Sequence, residues 1–277
     1  MIFILAIFGL YSTIYSDEWN HHDLKNLLSH YIEMDCNDRF CLPKKYKYIM
    51  IDIGLSFNAP QSQIWLEICD SSLILAFEPA KTNWHQISTK CPAIPNWFGL
   101  EVIPHNHPIR QQSNLPVYWK KRFFPFHIAL GNTNQKSAIF YETFQDSGCS
   151  SIYEPIEFSH TTYETPIVKL ENFLNFFPFE DYPFIDYIKI DAQGADLDIL
   201  KGMGNYLSER VICVTAEPED NQYRGTCNSQ NHIQNFMKSQ GFKRIKNRRL
   251  EDPSWVNEKF INLFYQKKIN KIIFQKG

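Results

Sequence analysis

Short, nearly continuous apolar runs recur along the chain, and each ends in an acid or a glycine. Ile49, Met50, Ile51 and Ile53 lead into Asp52 and Gly54, and Leu73 to Phe77 lead into Glu78–Pro79. Ile185 to Ile190 lead into Asp191, and Val211 to Ala216 lead into Glu217–Pro218. Runs without polar alternation predict strands covered on both faces, as in parallel sheets. The stretches between them carry helical spacing instead. Apolar residues at Leu24, Leu27, Leu28, Tyr31 and Ile32 predict a helix within Asp23 to Met34. Asn58, a good N-cap, and Pro60, tolerated in a first turn, predict a helix from about Ala59 to Cys69. Another is expected from near Gly194, where Ala195, Leu197, Ile199, Leu200 and Met203 share a face, and another from Ile233 to Gly241. Strand, helix and strand in succession make a βαβ unit, so the strands at 49–53 and 72–79 are expected to be parallel.

Weaker runs fill in the rest. Residues 126–132 predict a third parallel strand ending near Leu130, Gly131 and Asn132. Residues 137–144 and 166–169 predict further strands, 170–177 a short helix, and 147–153 a polar turn. Phe242 to Lys246 and Phe260 to Tyr265 predict strands paired at a sheet edge, followed by a basic, partly ordered tail from Lys267. Residues 91–122 are rich in Pro, Asn, His and Trp without a period, and read as an irregular insertion. His105 and His107 lie there and read as surface-loop residues.

In a parallel sheet all strand carboxyl ends lie along one edge, where open α/β folds bind ligands. The reading therefore gathers Asp52, Glu78, Asp191 and Glu217 around one crevice. An acid ending the second strand suits a ribose diol, because a carboxylate accepts at both oxygens. The first turn carries only Gly54, not a glycine-rich loop, which points to a nucleoside cofactor and away from a dinucleotide. Lys189 and Asp191 are two apart on a strand and face the same side.

Composition narrows the classes. The 277 residues are 44% hydrophobic with a net charge of −2, enough apolar surface for one large core and no global attraction to nucleic acid. The basic clusters at Lys120–Arg122 and Lys243–Arg249 read as solvated faces. Seven scattered cysteines show neither zinc spacing nor a fully paired disulfide framework. The uncharged residues 1–16 resemble a secretory leader and are too short to span a bilayer. The expected layout is thus a leader at 1–16, a helical extension at 17–46 and a main domain at 47–277. A cleaved leader implies the secretory pathway or secretion; without one the location is cytoplasmic.

The strings IDIG (51–54), FEP (77–79), ALGN (129–132), SGCSS (147–151), VKLENFL (168–174) and IDYIKIDAQGADLDILKGM (185–203) resemble, in order and spacing, the FkbM family of S-adenosylmethionine-dependent methyltransferases. The resemblance covers about residues 47–246. It implies a class I methyltransferase fold, a Rossmann-like, seven-stranded, mostly parallel sheet with helices on both faces and a reversed edge hairpin. It also implies S-adenosylmethionine as cofactor. Asp52 and Gly54 would line its methionine end, Glu78 would hold the ribose hydroxyls, and Leu130, Gly131 and Asn132 would lie near the adenine. Asp191 would sit beside the transferred methyl group. Two departures stand out. Asn58 or a neighbour replaces a second glycine, a position Asn can fill by adopting positive φ. Asp196 replaces a glutamate.

The implied chemistry is O-methylation of a small molecule or sugar, with Asp191 orienting the acceptor or taking its proton and Lys189 tuning Asp191 or acting as base. Asp191 and Glu217 sharing Mg²⁺ is a secondary arrangement that is not expected here. The rival readings are a non-catalytic binding module of the same fold and, last, a nicotinamide-dependent oxidoreductase.

Overall fold

A computed structural model describes residues 18–89, 115–144, 146–246 and 252–273. The leader, His105, His107 and part of the Lys243–Arg249 cluster lie outside the described residues.

Among the described residues ten strands form in chain order: β1 (Tyr48–Ile53), β2 (Ser72–Phe77), β3 (Phe123–Phe126), β4 (Ala129–Gly131), β5 (Gln135–Thr143), β6 (His160–Lys169), β7 (Ile185–Ile190), β8 (Val211–Ala216), β9 (Phe242–Ile245) and β10 (Ser254–Asn257). The helices are α1 (His21–Ser29), α2 (Pro60–Ile68), α3 (Lys81–Thr89), α4 (Leu115–Tyr118), α5 (Leu170–Leu174), α6 (Asp196–Lys201), α7 (Tyr206–Arg210), α8 (Gln230–Ser239), α9 (Ile261–Gln266) and α10 (Ile269–Ile273). Seven strands make the main sheet, ordered β3-β2-β1-β7-β8-β10-β9. β3, β2, β1, β7 and β8 run parallel, while β10 runs antiparallel to both of its neighbours. The expected seven-stranded, mostly parallel sheet is therefore borne out, with the β9–β10 hairpin at its edge and β10 as the reversed strand. A second sheet, β4-β6-β5, stands beside it.

The period-2 alternation of strand side chains divides the core between the two faces. Ile49, Ile51, Ile53, Leu73, Leu75 and Phe77 pack with α1 and α5 on one side. Met50, Ile74 and Ala76 pack with Trp65 of α2 and with Phe264 and Ile273 of α9 and α10 on the other. Among the described residues no helix is long and apolar enough to cross a membrane.

Four sequence expectations change. Residues 126–132 are not one strand: Phe123–Phe126 pairs with β2, whereas Ala129–Gly131 pairs with β6 in the second sheet. Pro125 is tolerated in β3 because that strand is the sheet edge. Residues 260–265 are helical; Phe264 and the buried Phe260 follow helical rather than alternating spacing, and β10 is the strand that closes the hairpin. The segment after Lys267 forms α10, anchored by buried Ile269 and Ile273 one helical turn apart. Lys267 itself pairs with the buried Asp186. Within the basic cluster, Arg122 is buried, donates to the Leu66 carbonyl and pairs with Asp70 at 3.2 Å, so it is not part of a solvated face. Of the irregular insertion, the described part contains α4.

Candidate active site

The carboxyl edge of the main sheet opens into a cavity of about 380 Å³, within the usual range for small-ligand pockets. Its floor is the ends of β1, β2, β7 and β8, and one wall is the 147–151 turn with its 3-10 helix at Ser147–Cys149. Phe77, Ile128, Leu130, Phe140 and Ile152 give it an apolar side. Glu78, Asp191 and Glu217 line it, and so does Gly54.

Asp52 does not line the cavity. It is one residue short of the strand end and so falls on the α2 face, fully buried, where Ser62 donates to its Oδ2 at 2.6 Å. Burial raises its pKa to about 6, against the pull of Lys189 and Ser62. Lys189 is its cross-strand partner in β7 and lies on the same hidden face. From there it reaches forward to Asp191 Oδ2 at 2.7 Å. Burial alone would lower the Lys189 pKa, but Asp191 and Asp52 outweigh it and hold the ammonium charged.

Gly54 joins the two halves of the edge. Its N–H donates to the Phe77 carbonyl at 3.0 Å, its φ is +80°, and a Cβ there would lie 1.8 Å from the Asp191 carbonyl oxygen. Only glycine lets the ends of β1 and β7 approach so closely. Asn58 does not play the part expected of it. Positive φ falls at Ser56 (55°) and Ala59 (45°), and Ala59 is the N-cap of α2, with no side-chain cap bond. Asn58 offers its carbonyl to Gln63 Nε2 at 2.5 Å and stays off the cavity wall. Of the 130–132 trio only Leu130 faces the cavity. Gly131 lies where a Cβ on Gly202 would meet its carbonyl at 2.0 Å, and Asn132 donates to Asp198 at 2.8 Å.

Glu78, almost fully buried, accepts from Leu55 N–H at 3.0 Å and Ala80 N–H at 2.8 Å. Burial pushes its pKa up to about 8, partly opposed by those bonds and by one from Asn83. Asn83, in the first turn of α3, also lines the cavity. Its amide nitrogen is held by the Ser147 carbonyl at 3.2 Å, and its Oδ1 has no hydrogen-bond partner.

At the other end, Gln193 donates to Asp191 Oδ1 at 2.9 Å, and the Tyr223 hydroxyl fixes Gln193 through Oε1 at 2.7 Å. Ser151 Oγ ties the 147–151 wall to the Gln193 carbonyl at 2.6 Å. Asp196 accepts from the N–H groups of Ala192 (3.2 Å) and Glu217 (2.9 Å), so the acid at this position holds the turn after β7 against the end of β8. Burial is the main reason its pKa rises to about 7. Asp191 and Glu217 stand at the adjoining ends of β7 and β8, just past the paired Ile190 and Ala216, and both line the cavity. Burial would raise Asp191, but the Lys189 charge and hydrogen bonds from Lys189 and Gln193 help hold it below the usual carboxylate range. Burial, and after it the negative charge of neighbouring Asp191, push Glu217 up. Among the described residues no three or more His, Cys, Asp and Glu side chains are grouped to hold a metal ion.

A family model described as "Methyltransferase FkbM domain" matches residues 65–244. The chain belongs to the FkbM methyltransferase family. No curated protein and no solved structure matches it. The matched span contains Glu78, Asn83, Asp191 and Glu217, but the Gly54 turn precedes it. Asn83, Gln193 and Tyr223 were not singled out in the sequence. Gln193 sits inside the 185–203 string and Asn83 follows FEP closely, whereas nothing local marks Tyr223.

S-adenosylmethionine, the cofactor this FkbM resemblance implies, fits the donors and acceptors present. A ribose diol needs acceptors, and Glu78 retains lone pairs beside an Asn83 oxygen that has no donor of its own. The apolar side formed by Phe77, Leu130 and Phe140 suits a flat base.

Proposed function

We propose that this FkbM-family chain is an S-adenosylmethionine-dependent methyltransferase acting on a hydroxyl group of a small molecule or sugar. The supporting observation is one crevice with diol-accepting groups at its β2 end and a charge-held carboxylate at its β7 end. When bound, the cofactor supplies an activated methyl group on a positively charged sulfur. The chain must hold the acceptor oxygen in line with that carbon and receive its proton.

Glu78 and Asn83 accept from the ribose hydroxyls. Leu130 and Phe140 pack the base, and the Ser147–Ser151 wall limits water. Asp191 is aimed by Lys189 on one oxygen and Gln193 on the other, so its remaining lone pairs have a fixed direction. It orients the acceptor hydroxyl. Lys189, kept charged, positions Asp191 and does not serve as a base.

Calorimetric titration of the protein with S-adenosylmethionine and S-adenosylhomocysteine, alongside Glu78→Ala, tests the reading. Micromolar binding of both ligands, weakened at least tenfold by the substitution, is the expected result (about 1.4 kcal/mol). A folded protein that binds neither ligand would turn the assignment to a binding module on a methyltransferase fold.

A further inference from the structure

The first turn of α3 carries Asn83, and most of what holds the start of that helix lies far from it in sequence. The Ala80 carbonyl accepts the first helical bond, from Trp84 N–H at 2.8 Å, so Ala80 stands at the N-cap with no side chain able to cap. The N–H groups that open the helix therefore need acceptors from elsewhere. Ala80 N–H donates to Glu78 Oε1 at 2.8 Å, Lys81 N–H to the Tyr163 hydroxyl at 2.9 Å and Thr82 N–H to Glu142 Oε1 at 2.9 Å. The Tyr163 hydroxyl in turn donates to the Pro79 carbonyl at 3.2 Å. Glu78 is the acid at the ribose end of the crevice. The other two acceptors belong to the second sheet, 82 and 60 residues further along the chain.

Both stand on one face of the β5–β6 hairpin. Phe140 and Glu142 are two apart on β5 and share a side. Tyr163 is the cross-strand partner of Phe140, with ring centroids 5.5 Å apart. Phe140 lines the cavity, so the face that builds part of its apolar side also grips the start of α3. Glu142 is buried, and the Lys81 ammonium lies 3.9 Å over the Tyr163 ring. The grip ends beside the groups that meet the ribose. Thr82 adjoins Asn83, whose buried Oδ1 has no partner, and Ala80 supplies one of the two N–H groups that aim Glu78.

We propose that Glu142 and Tyr163 are positioning residues for ribose recognition: they cap α3 from the second sheet and so hold Glu78 and Asn83 in place against the diol. This deepens the cofactor reading above and rests on it. Neither side chain lines the cavity, and both act through the backbone of Pro79 to Thr82.

The test pairs S-adenosylhomocysteine with a counterpart lacking both ribose hydroxyl groups, each titrated calorimetrically into the full chain and its variants. Glu142→Ala should weaken S-adenosylhomocysteine roughly fivefold or more, the scale of one lost hydrogen bond, and leave the dideoxy counterpart unchanged. Glu142→Gln keeps an acceptor oxygen and should restore affinity to within about twofold. Tyr163→Phe keeps the ring and its packing on Phe140 and should repeat the selective loss; it decides alone if Glu142→Ala does not fold. Equal weakening of both ligands marks a general loss of structure and overturns the proposal. So does unchanged affinity for S-adenosylhomocysteine, or a Glu142→Gln protein that binds no better than Glu142→Ala.

If S-adenosylhomocysteine does not bind the unaltered protein, the ribose role falls with the cofactor reading. The cap is then read separately in the ligand-free protein by amide hydrogen exchange. Selective acceleration at Thr82 in Glu142→Ala and at Lys81 in Tyr163→Phe supports a cap supplied by the second sheet, and unchanged exchange at both overturns it by itself.

Discussion

At the β2 end of the crevice Glu78 takes its hydrogen bonds from neutral groups, two backbone N–H groups and an asparagine, with Glu142 adding only a weak like-charge push. At the β7–β8 end two carboxyl groups sit together beside a lysine. The two ends are separated by two to three strand spacings, roughly 10–14 Å. Burial acts on both in the same sense, yet the outcomes differ. Glu78 is pushed up chiefly by desolvation. At the far end the same burial is split by Lys189 into one group held ionised and one held neutral. The comparison shows that a strand-end acid acquires its role from what the neighbouring strand carries, and not from its own position. A neutral-lined acid suits hydroxyl recognition, whereas a split pair suits proton handling.

The largest effect should come from breaking the seam between the ends. Gly54→Ala places a Cβ inside the Asp191 carbonyl at a φ of +80°, and should cost about 3 kcal/mol or more of stability. An unchanged urea midpoint would show that the seam can relax. Next is the split pair. Asp191→Asn should lower turnover by roughly 10²–10⁴-fold while cofactor affinity changes little, because the aimed acceptor is lost and the ribose end is untouched. Full turnover would remove Asp191 from the chemistry.

The acid at the β2 end gives a pH signature. Glu78 moves from an ordinary value of 4.5 to about 8 on folding, so between those limits the native state keeps a proton that the unfolded state has lost. Its contribution is intact below 4.5 and declines as pH rises toward 8. The ligand-free protein should therefore lose stability from pH 5 to 8, by an amount on the order of a few kcal/mol from this group. Glu78→Gln should flatten that slope, and a profile with the same slope in both proteins would assign the loss elsewhere. The smallest effect is expected at Asn58→Ala, within about 0.5 kcal/mol, because only the Asn58 carbonyl is engaged. A larger loss in thermal or urea unfolding would restore a role to its side chain.

Much of this frame was legible in the sequence, because buried parallel strands announce themselves as apolar runs and their terminal acids are countable. Glu78 and Asp191 were placed at the crevice by that logic. Asp52 was misplaced by it, since one residue of strand phase decides which face an acid serves, and apolar runs without alternation hide the phase. The 126–132 stretch was misread because adjacent strands can leave for different sheets without a local sign. Asn83 and Tyr223 went unnoticed for a related reason. Their importance arises from contacts with Ser147 and Gln193, far away in sequence.

The pairing of Asp186 with Lys267 has a consequence for the order in which the molecule is assembled. Asp186 opens the central part of β7 and is almost fully buried, and its cation arrives only after the last strand of the sheet has been made. Until Lys267 is present, burying Asp186 leaves it with the Ile49 N–H and the weaker pull of Lys47, without its ion-pair partner.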